Sequence, residues 1–235
     1  SNSSTSASGS TSVGNVDWKF DGGILTIYND NAMKIQAKPF GNPWETKKDE
    51  ITKVVIKEGV TFVRNAGFGR GSINTCDKLT EVVFPHTLKS IERQAFLGCK
   101  KLRNFTLPDG LQYIHSQAFG ECYGLTELIV PDSVTDIESE AFAACMNLVN
   151  VKLPRNLKSI SSGLFNGCTT IKSITIPDSV TKIERQAFKR CENLDDMVIP
   201  DGVKEVPFEG FCECTNLTNI SLPGSITAVK ANAFK

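Results

Sequence analysis

The amino-acid sequence repeats itself every 23 residues. The clearest copy, LTEVVFPHTLKSIERQAFLGCKK, runs from Leu79 to Lys101, and an earlier copy, which begins at Ile51, carries five extra residues. Later copies begin at Leu102, Leu125, Leu148, Ile171, Leu194 and Leu217. A fixed period of roughly 20 to 50 residues is typical of proteins whose repeats stack on one another. We therefore expect a β-rich solenoid of about eight coils over residues 51–235.

The apolar residues of one copy predict two strands. Leu125, Leu128 and Val130 form the LxxLxL pattern of a strand that lays one face on a core. Pro131 ends this strand because proline has no N–H to donate to a sheet. Further apolar positions after the turn predict a second, shorter strand on another side of the coil.

Phenylalanine occupies the same position in all eight copies, and cysteine occupies another in seven. We expect the rings to stack as the spine of the core. Side chains on stacked strands stand about 4.8 Å apart in parallel, so we expect buried free thiols and no disulfides. The phenylalanines are Phe68, Phe96, Phe119, Phe142, Phe165, Phe188, Phe211 and Phe234, and the ladder cysteines are Cys76, Cys99, Cys122, Cys145, Cys168, Cys191 and Cys214. Cys212 lies off this ladder.

Residues 1–50 do not share the repeat. The Ser-rich residues 1–15 cannot bury apolar surface, so we expect a flexible tail there. Residues 16–50 contain two β-prone runs around an Asp-Gly turn, which predicts a hairpin, and we assign them the role of an N-terminal cap over the first coil. Trp18 and Trp44 fit packing inside this cap, and stacking on a ligand is the alternative.

The composition argues against several classes of function. The 26 basic and 26 acidic residues balance, so no global field attracts nucleic acid or an anionic membrane. No stretch approaches the roughly 20 apolar residues of a membrane-inserted helix. The only histidines, His86 and His115, have no partner at metal-ligand spacing, and nucleophile and phosphate-binding motifs are absent. We expect neither a metal, a cofactor nor an enzyme.

The strand positions that point away from the core are the candidates for partner binding. They mix polar residues with scattered valine and isoleucine and lack the aromatic and arginine anchors of tight interfaces. Such a face is compatible with a protein or a glycan ligand. The candidate partner-binding face consists of Lys53, Val55, Glu81, Val83, Asn104, Thr106, Glu127, Ile129, Asn150 and Lys152.

The extra residues of the first copy form a second candidate. Insertions in repeat proteins map to loops on one face, which is often a binding face. The alternative is a loop beside the cap that has drifted without function. The candidate loop consists of Gly69, Arg70, Gly71, Ser72, Ile73 and Asn74.

The copy LTELIVPDSVTDIESEAFAACMN from Leu125 resembles the BspA-like leucine-rich repeats of mostly bacterial cell-surface proteins. The earlier stretch VDWKFDGGILTIYNDNAM is similar to the cap of such proteins, so the resemblance covers roughly residues 16–235. It implies a right-handed solenoid with a parallel sheet, on the cell surface or secreted. Family members are associated with adhesion to host or matrix proteins, and the family has no catalytic motif to carry over.

We therefore expect an exported interaction or adhesion module that presents its solenoid surface to a protein partner. The alternative is a structural spacer that carries another domain away from the cell and has no ligand of its own. No atypical closing repeat precedes Lys235, so the last coil is expected to be uncovered. The alternatives are that this end is disordered, that neighbouring molecules cover it in an oligomer, or that further sequence follows it.

Overall fold

The computed structural model describes residues 6–9, 16–34, 42–69 and 75–235. Before the repeats, the chain forms strands β1 Ala7–Gly9, β2 Trp18–Asp21 and β3 Ile24–Ile27, a short helix α1 Asp30–Lys34 and one turn of 3₁₀ helix, Glu45–Lys47. In chain order, the strands of the repeats are β4 Lys53–Ile56, β5 Phe62–Val63, β6 Glu81–Val83, β7 Ser90–Ile91, β8 Tyr113–Ile114, β9 Glu127–Ile129, β10 Asp136–Ile137, β11 Asn150–Lys152, β12 Ser159–Ile160, β13 Lys182–Ile183, β14 Asp196–Val198, β15 Glu205–Val206, β16 Asn219–Ser221 and β17 Ala228–Val229.

The strands of the repeats form two columns of parallel neighbours. In the first column the longer strands pair between adjacent repeats, β4 with β6, β9 with β11 and β14 with β16. In the second column the two-residue strands pair in the same way, in the groups β5–β7–β8–β10, β12–β13 and β15–β17. Each repeat is therefore a coil that stacks on its neighbour, and the predicted parallel sheet is confirmed.

The predicted phenylalanine column lies in the core. The rings stack face to face from Phe68 to Phe234, with the centroids of neighbours 5.2–6.2 Å apart. All of them are buried except Phe234, which is 45% exposed. Burial of one such side chain stabilises a protein by roughly 1.5–3 kcal/mol. Because each ring stacks on the rings of the adjacent coils, this stabilisation links neighbouring coils.

The cysteines are free, as predicted, and all but the half-buried Cys214 are buried, including Cys212. Each ladder thiol from Cys99 onward contacts the preceding coil. Cys145 Sγ, for example, lies 3.3 Å from the carbonyl oxygen of Phe119. Burial raises the pKa of Cys145 to about 12, so the thiol keeps its proton and donates a hydrogen bond to that carbonyl. The position therefore needs a small apolar side chain that is also a hydrogen-bond donor.

A further ladder of main-chain hydrogen bonds runs beside the phenylalanine column. The N–H of Phe96 donates to the carbonyl of Ala118 over 2.8 Å, and the N–H of Gln94 donates to the carbonyl of Ser116 over 3.0 Å. Gln94 has a φ of 57°, and left-handed residues recur at this position of the repeat. Alternation of right- and left-handed residues directs successive N–H groups to one side. In this ladder the earlier coil always donates and the later coil accepts.

The segment before the repeats completes this ladder at the first coil. β2 and β3 form the predicted antiparallel hairpin around Gly22-Gly23. Trp44 stacks on Phe68 with ring centroids 5.3 Å apart, and its indole N–H donates to the carbonyl of Gly67 over 3.1 Å. Trp44 thus replaces both the ring and the donor that a preceding coil would supply. Trp18 and Trp44 are buried, which leaves neither ring free to stack on a ligand.

The prediction of a flexible tail is wrong for residues 7–9. They form β1, which pairs in antiparallel with β2 and places Ala7 opposite Phe20. This pairing requires glycine at position 9, because a side chain there would clash with the indole nitrogen of Trp18. A Ser-rich composition gives no signal for a strand that is held mainly by its main chain. Residues 1–5 and 10–15 of the predicted tail lie outside the described residues.

Candidate binding surface

The ten residues of the predicted face lie on the outer side of the column of longer strands. Lys53, Val55 and Glu81 are half-buried, and the other seven are exposed. Lys53 Nζ lies 2.8 Å from Glu81 Oε1, so these two charges are paired on adjacent strands. Strand register also places Ile129 beside Lys152. The structure therefore brings together residues that are far apart in sequence.

The same face continues onto the cap, which the sequence did not predict. β3 pairs in parallel with β4, and this places Ile24 opposite Lys53 and Thr26 opposite Val55. Ile24 is 42% exposed, so it adds apolar surface at this end of the face. The run ILTIY gave a clear strand signal. A segment that occurs once has no period to set its register against the repeats, so the parallel pairing was not foreseen.

Three adjoining shallow depressions lie on this face. Their volumes are about 550, 320 and 300 Å³, and Glu127 lines all three. We call their combined surface the sheet-face trough. Eight of the ten predicted residues line it, namely Glu81, Val83, Asn104, Thr106, Glu127, Ile129, Asn150 and Lys152. Lys53 and Val55 lie beyond its end.

Three exposed aliphatic side chains stand in the trough. Val83 is 41% exposed, Val149 is 44% exposed and Ile129 is 55% exposed. Val198 occupies the equivalent position on β14 and is 64% exposed, but it lines none of the three depressions. Single exposed aliphatic residues are ordinary on protein surfaces. Val83 and Ile129 differ from Val198 in lying in the trough, where a bound partner would cover them.

The charges at the trough are of both signs. Arg155 Nε lies 2.7 Å from Asp132 Oδ2, and hydrogen bonds from the main-chain N–H and side chain of Arg155 hold the pKa of Asp132 below its usual value. Among the described residues, Glu127 and Lys152 belong to no such ion pair. The trough therefore has no uniform field, and two of its charges are available to a ligand.

The candidate loop can be placed only at its first residue. Gly69 is buried, and a side chain there would clash with the main chain of Leu97 in the next coil. The binding role predicted for Gly69 does not fit this position, because close packing between coils requires a glycine. The other residues of the loop, Arg70 to Asn74, lie outside the described residues.

The described residues hold no group of three or more histidine, cysteine, aspartate or glutamate side chains placed to bind a metal ion. His115 lies between carboxylates of the two adjacent coils, 3.8 Å from Glu92 and 2.9 Å from Glu138. In the part of the chain that the structure describes, no helix is long and apolar enough to span a membrane.

Parallel strands from consecutive repeats, an LxxLxL pattern on each longer strand and one continuous apolar core define a leucine-rich repeat fold. The family model described as BspA type leucine rich repeat region matches residues 68–195 and 135–235, in six copies. The chain belongs to the BspA-type leucine-rich repeat family.

Solved bacterial structures share this fold. A leucine-rich repeat protein from Bacteroides ovatus is 22% identical with a TM-score of 0.62, over 95% of this chain and 76% of that one. A leucine rich cell surface protein from Faecalibacterium prausnitzii is 26% identical with a TM-score of 0.51, over 75% and 62%. A leucine-rich repeat protein from T. pallidum is 25% identical with a TM-score of 0.52, over 88% and 78%. No curated protein matches the chain.

Proposed function

We propose that this chain is a non-enzymatic, exported cell-surface module that binds a protein partner, such as a host or matrix protein, through the sheet-face trough. One observation carries the proposal: eight of the ten residues of the predicted face line three adjoining depressions, which together form the trough. A surface of this kind suits binding, since it combines exposed aliphatic side chains with two charges, Glu127 and Lys152, that form no ion pair within the described part of the chain.

Cell-surface location is supported by the comparisons. The protein from Faecalibacterium prausnitzii, 26% identical to this chain, is described as a cell surface protein. Membership of the BspA-type family supports the same location. Adhesion to another cell or to a matrix is the activity that such a location and such a trough would serve.

We also infer a right-handed solenoid of about eight coils, the number of phenylalanines in the repeat. Connections between parallel strands of one sheet are right-handed in about 98% of cases, which favours that hand for the whole array. The continuous stack of rings from Phe68 to Phe234 supports one uninterrupted array.

The composition of the trough limits the expected affinity. Hot spots of tight interfaces are enriched in tryptophan, tyrosine and arginine. The exposed apolar side chains here are Val83, Val149 and Ile129, none of which is of these types. We therefore expect a dissociation constant on the order of micromolar for one module. Many modules on a crowded surface would bind more tightly together, through avidity.

A binding screen tests this proposal. The purified module is presented to matrix proteins and serum proteins, and binding is followed by biolayer interferometry. The double variant Val83→Asp with Ile129→Asp should abolish any binding found, because it places charges in the part of the trough that a partner would desolvate. Val198→Asp is the matched control, since it changes the same strand position outside the trough, and it should leave binding intact.

Thermal unfolding of both variants shows whether the fold is retained. Equal loss of binding in the double variant and in Val198→Asp would contradict a site in the trough. Absence of binding across the whole panel would favour the spacer, which has no ligand of its own.

A further inference from the structure

The hydrogen-bond ladder of the longer strands is interrupted inside the trough. Asn104 still bridges back to Glu81. No main-chain hydrogen bond among the described residues joins residues 103–107 to residues 125–130, and β9 pairs with β11 on its other side. Two strand edges therefore face each other across a gap without pairing.

The direction of the hydrogen bonds on either side shows which groups face this gap. Alternate residues of a strand direct their N–H and C=O groups to opposite neighbours. The N–H of Val130 donates to β11, so Glu127 and Ile129 direct their main-chain groups to the gap. The N–H of Asn104 donates to the preceding coil, so Phe105 directs its main-chain groups to the gap from the other side. Donors and acceptors therefore line both edges.

A peptide strand cannot enter this gap. The core rings of the two coils that flank it, Phe119 and Phe142, have centroids only 5.6 Å apart. This distance is close to the ordinary strand spacing of about 4.8 Å, and an inserted strand would need about twice that. A ligand must therefore lie over the gap and reach the two edges with small polar groups.

The depression above the gap has a volume of about 320 Å³ and a lining that selects a chemical class. Ile129 and the partly buried Phe105 provide apolar surface, Asp109, Glu127 and Asp132 provide acceptors, and Lys152 provides a donor. Three carboxylates, one of them paired with Arg155, against one ammonium disfavour an anionic ligand. A hydroxyl group both donates and accepts hydrogen bonds, which is what edges with both donors and acceptors require.

We propose that this depression binds one neutral, hydroxyl-rich sugar unit, so that the module recognises a glycan carried by its partner. The apolar face of the sugar ring would lie on Ile129, and its hydroxyl groups would bond to the two strand edges and to Glu127. This inference rests on the proposed function only in placing the ligand in the sheet-face trough.

Amide NMR titration of the full chain tests the sugar site. The probes are the methyl glycosides of galactose, glucose, mannose and N-acetylglucosamine, each raised to millimolar concentration. At least one of them should give saturable shifts that centre on the amides of Phe105, Leu107, Glu127 and Ile129. Shifts that never saturate, or that spread over the surface with all four probes, would overturn the inference.

Two variants make the test specific. Glu127→Gln removes a charged acceptor in the trough and should weaken sugar binding by about tenfold, the usual effect of losing one charge-assisted hydrogen bond. Asp196→Asn changes the equivalent position on β14, outside the depressions, and should leave the affinity unchanged. Equal affinity in Glu127→Gln and the parent protein would overturn the site.

Enzymatic removal of glycans from a bound partner separates this inference from the proposed function. Loss of binding after that treatment supports the sugar site. Binding that persists, and that Val83→Asp with Ile129→Asp still abolishes, would refute the sugar site and leave the proposed function standing.

Discussion

Trp44 shows how one side chain can imitate a neighbouring coil. Its ring continues the phenylalanine column, and its indole N–H donates to the carbonyl of Gly67, where a main-chain N–H would otherwise donate. Loss of a hydrogen-bond partner from a buried carbonyl costs about 1–3 kcal/mol. Trp44 is therefore expected to stabilise the first coil in two separable ways, by ring stacking and by a hydrogen bond.

Trp44→Phe should lower the free energy of unfolding by about 1–3 kcal/mol, because it keeps a ring over Phe68 and removes the donor. Trp44→Leu should cost more, because it also removes the stacked ring. Urea unfolding followed by circular dichroism measures both. Equal stability of Trp44→Phe and the parent protein would show that the indole N–H contributes nothing.

The repeat made some residues predictable and left others unpredictable. Phenylalanine and cysteine recur at one period, so their burial and stacking could be predicted from spacing alone. The thiol's bond to a carbonyl, as in Cys145, could not, because it depends on the path of the main chain. The left-handed conformation of Gln94 was equally hidden, since glutamine is not a residue that favours it.

At the scale of elements, the acidic residues that recur between coils act as specific hydrogen-bond acceptors. Glu138 accepts hydrogen bonds from the main-chain N–H and the hydroxyl of Ser116, over 2.9 and 2.8 Å, and lies 2.9 Å from His115 Nδ1. Partial burial acts to raise the pKa of Glu138, but the hydrogen bonds from Ser116 and His115 outweigh it and hold the pKa below 4.5.

Glu138→Gln should therefore lower the unfolding midpoint at neutral pH. A carboxylate whose pKa is lowered by folding stabilises the protein above its unfolded pKa, and this contribution is lost as the pH falls through the folded value. The difference in unfolding midpoint between Glu138→Gln and the parent protein should thus become smaller below pH 4.5, the ordinary pKa of this group. Thermal unfolding at neutral pH and at about pH 3 measures it.

Glu127→Gln is the control for this prediction. It removes an exposed carboxylate that makes no side-chain hydrogen bond or ion pair among the described residues, so its midpoint should follow that of the parent at both pH values. If the difference in unfolding midpoint between Glu138→Gln and the parent protein became larger at acid pH, the stabilising role of the Glu138 carboxylate would be contradicted.

The elements outside the periodic region were the least predictable. The hairpin of β2 and β3 was predicted from its turn, but its parallel contact with β4 and the pairing of β1 were not. The candidate face was predicted from strand alternation, whereas the unpaired edges at Phe105 were not. A pattern of apolar residues shows which side of a strand faces the core, and it does not show which main-chain groups find partners.

At the scale of the whole molecule, stability depends on contacts between neighbouring coils. A charge in the middle of the phenylalanine column has no partner and breaks the stack on both sides. Phe142→Asp should therefore lower the free energy of unfolding by about 3–5 kcal/mol and make unfolding less cooperative. Calorimetry measures both effects, the second as a van't Hoff enthalpy below the calorimetric one.

Phe234→Asp is the matched control for this prediction, because Phe234 belongs to the same column but is 45% exposed. Phe234→Asp should lower the free energy of unfolding much less than Phe142→Asp does. Similar losses for the two variants would contradict a core whose stability comes from stacked neighbours.

The one-way ladder beside the phenylalanines has a consequence for protein engineering. Within this ladder each coil presents carbonyl acceptors to the coil before it and N–H donors to the coil after it, so its two faces differ chemically beside the phenylalanines. At the short strands the later coil also donates, as where the N–H of Glu92 donates to the carbonyl of Val63. Repeats of this kind can be recombined only head to tail. A cap designed after Trp44 suits the acceptor face alone, and a module that closes the donor face must bring oxygen atoms in place of an indole.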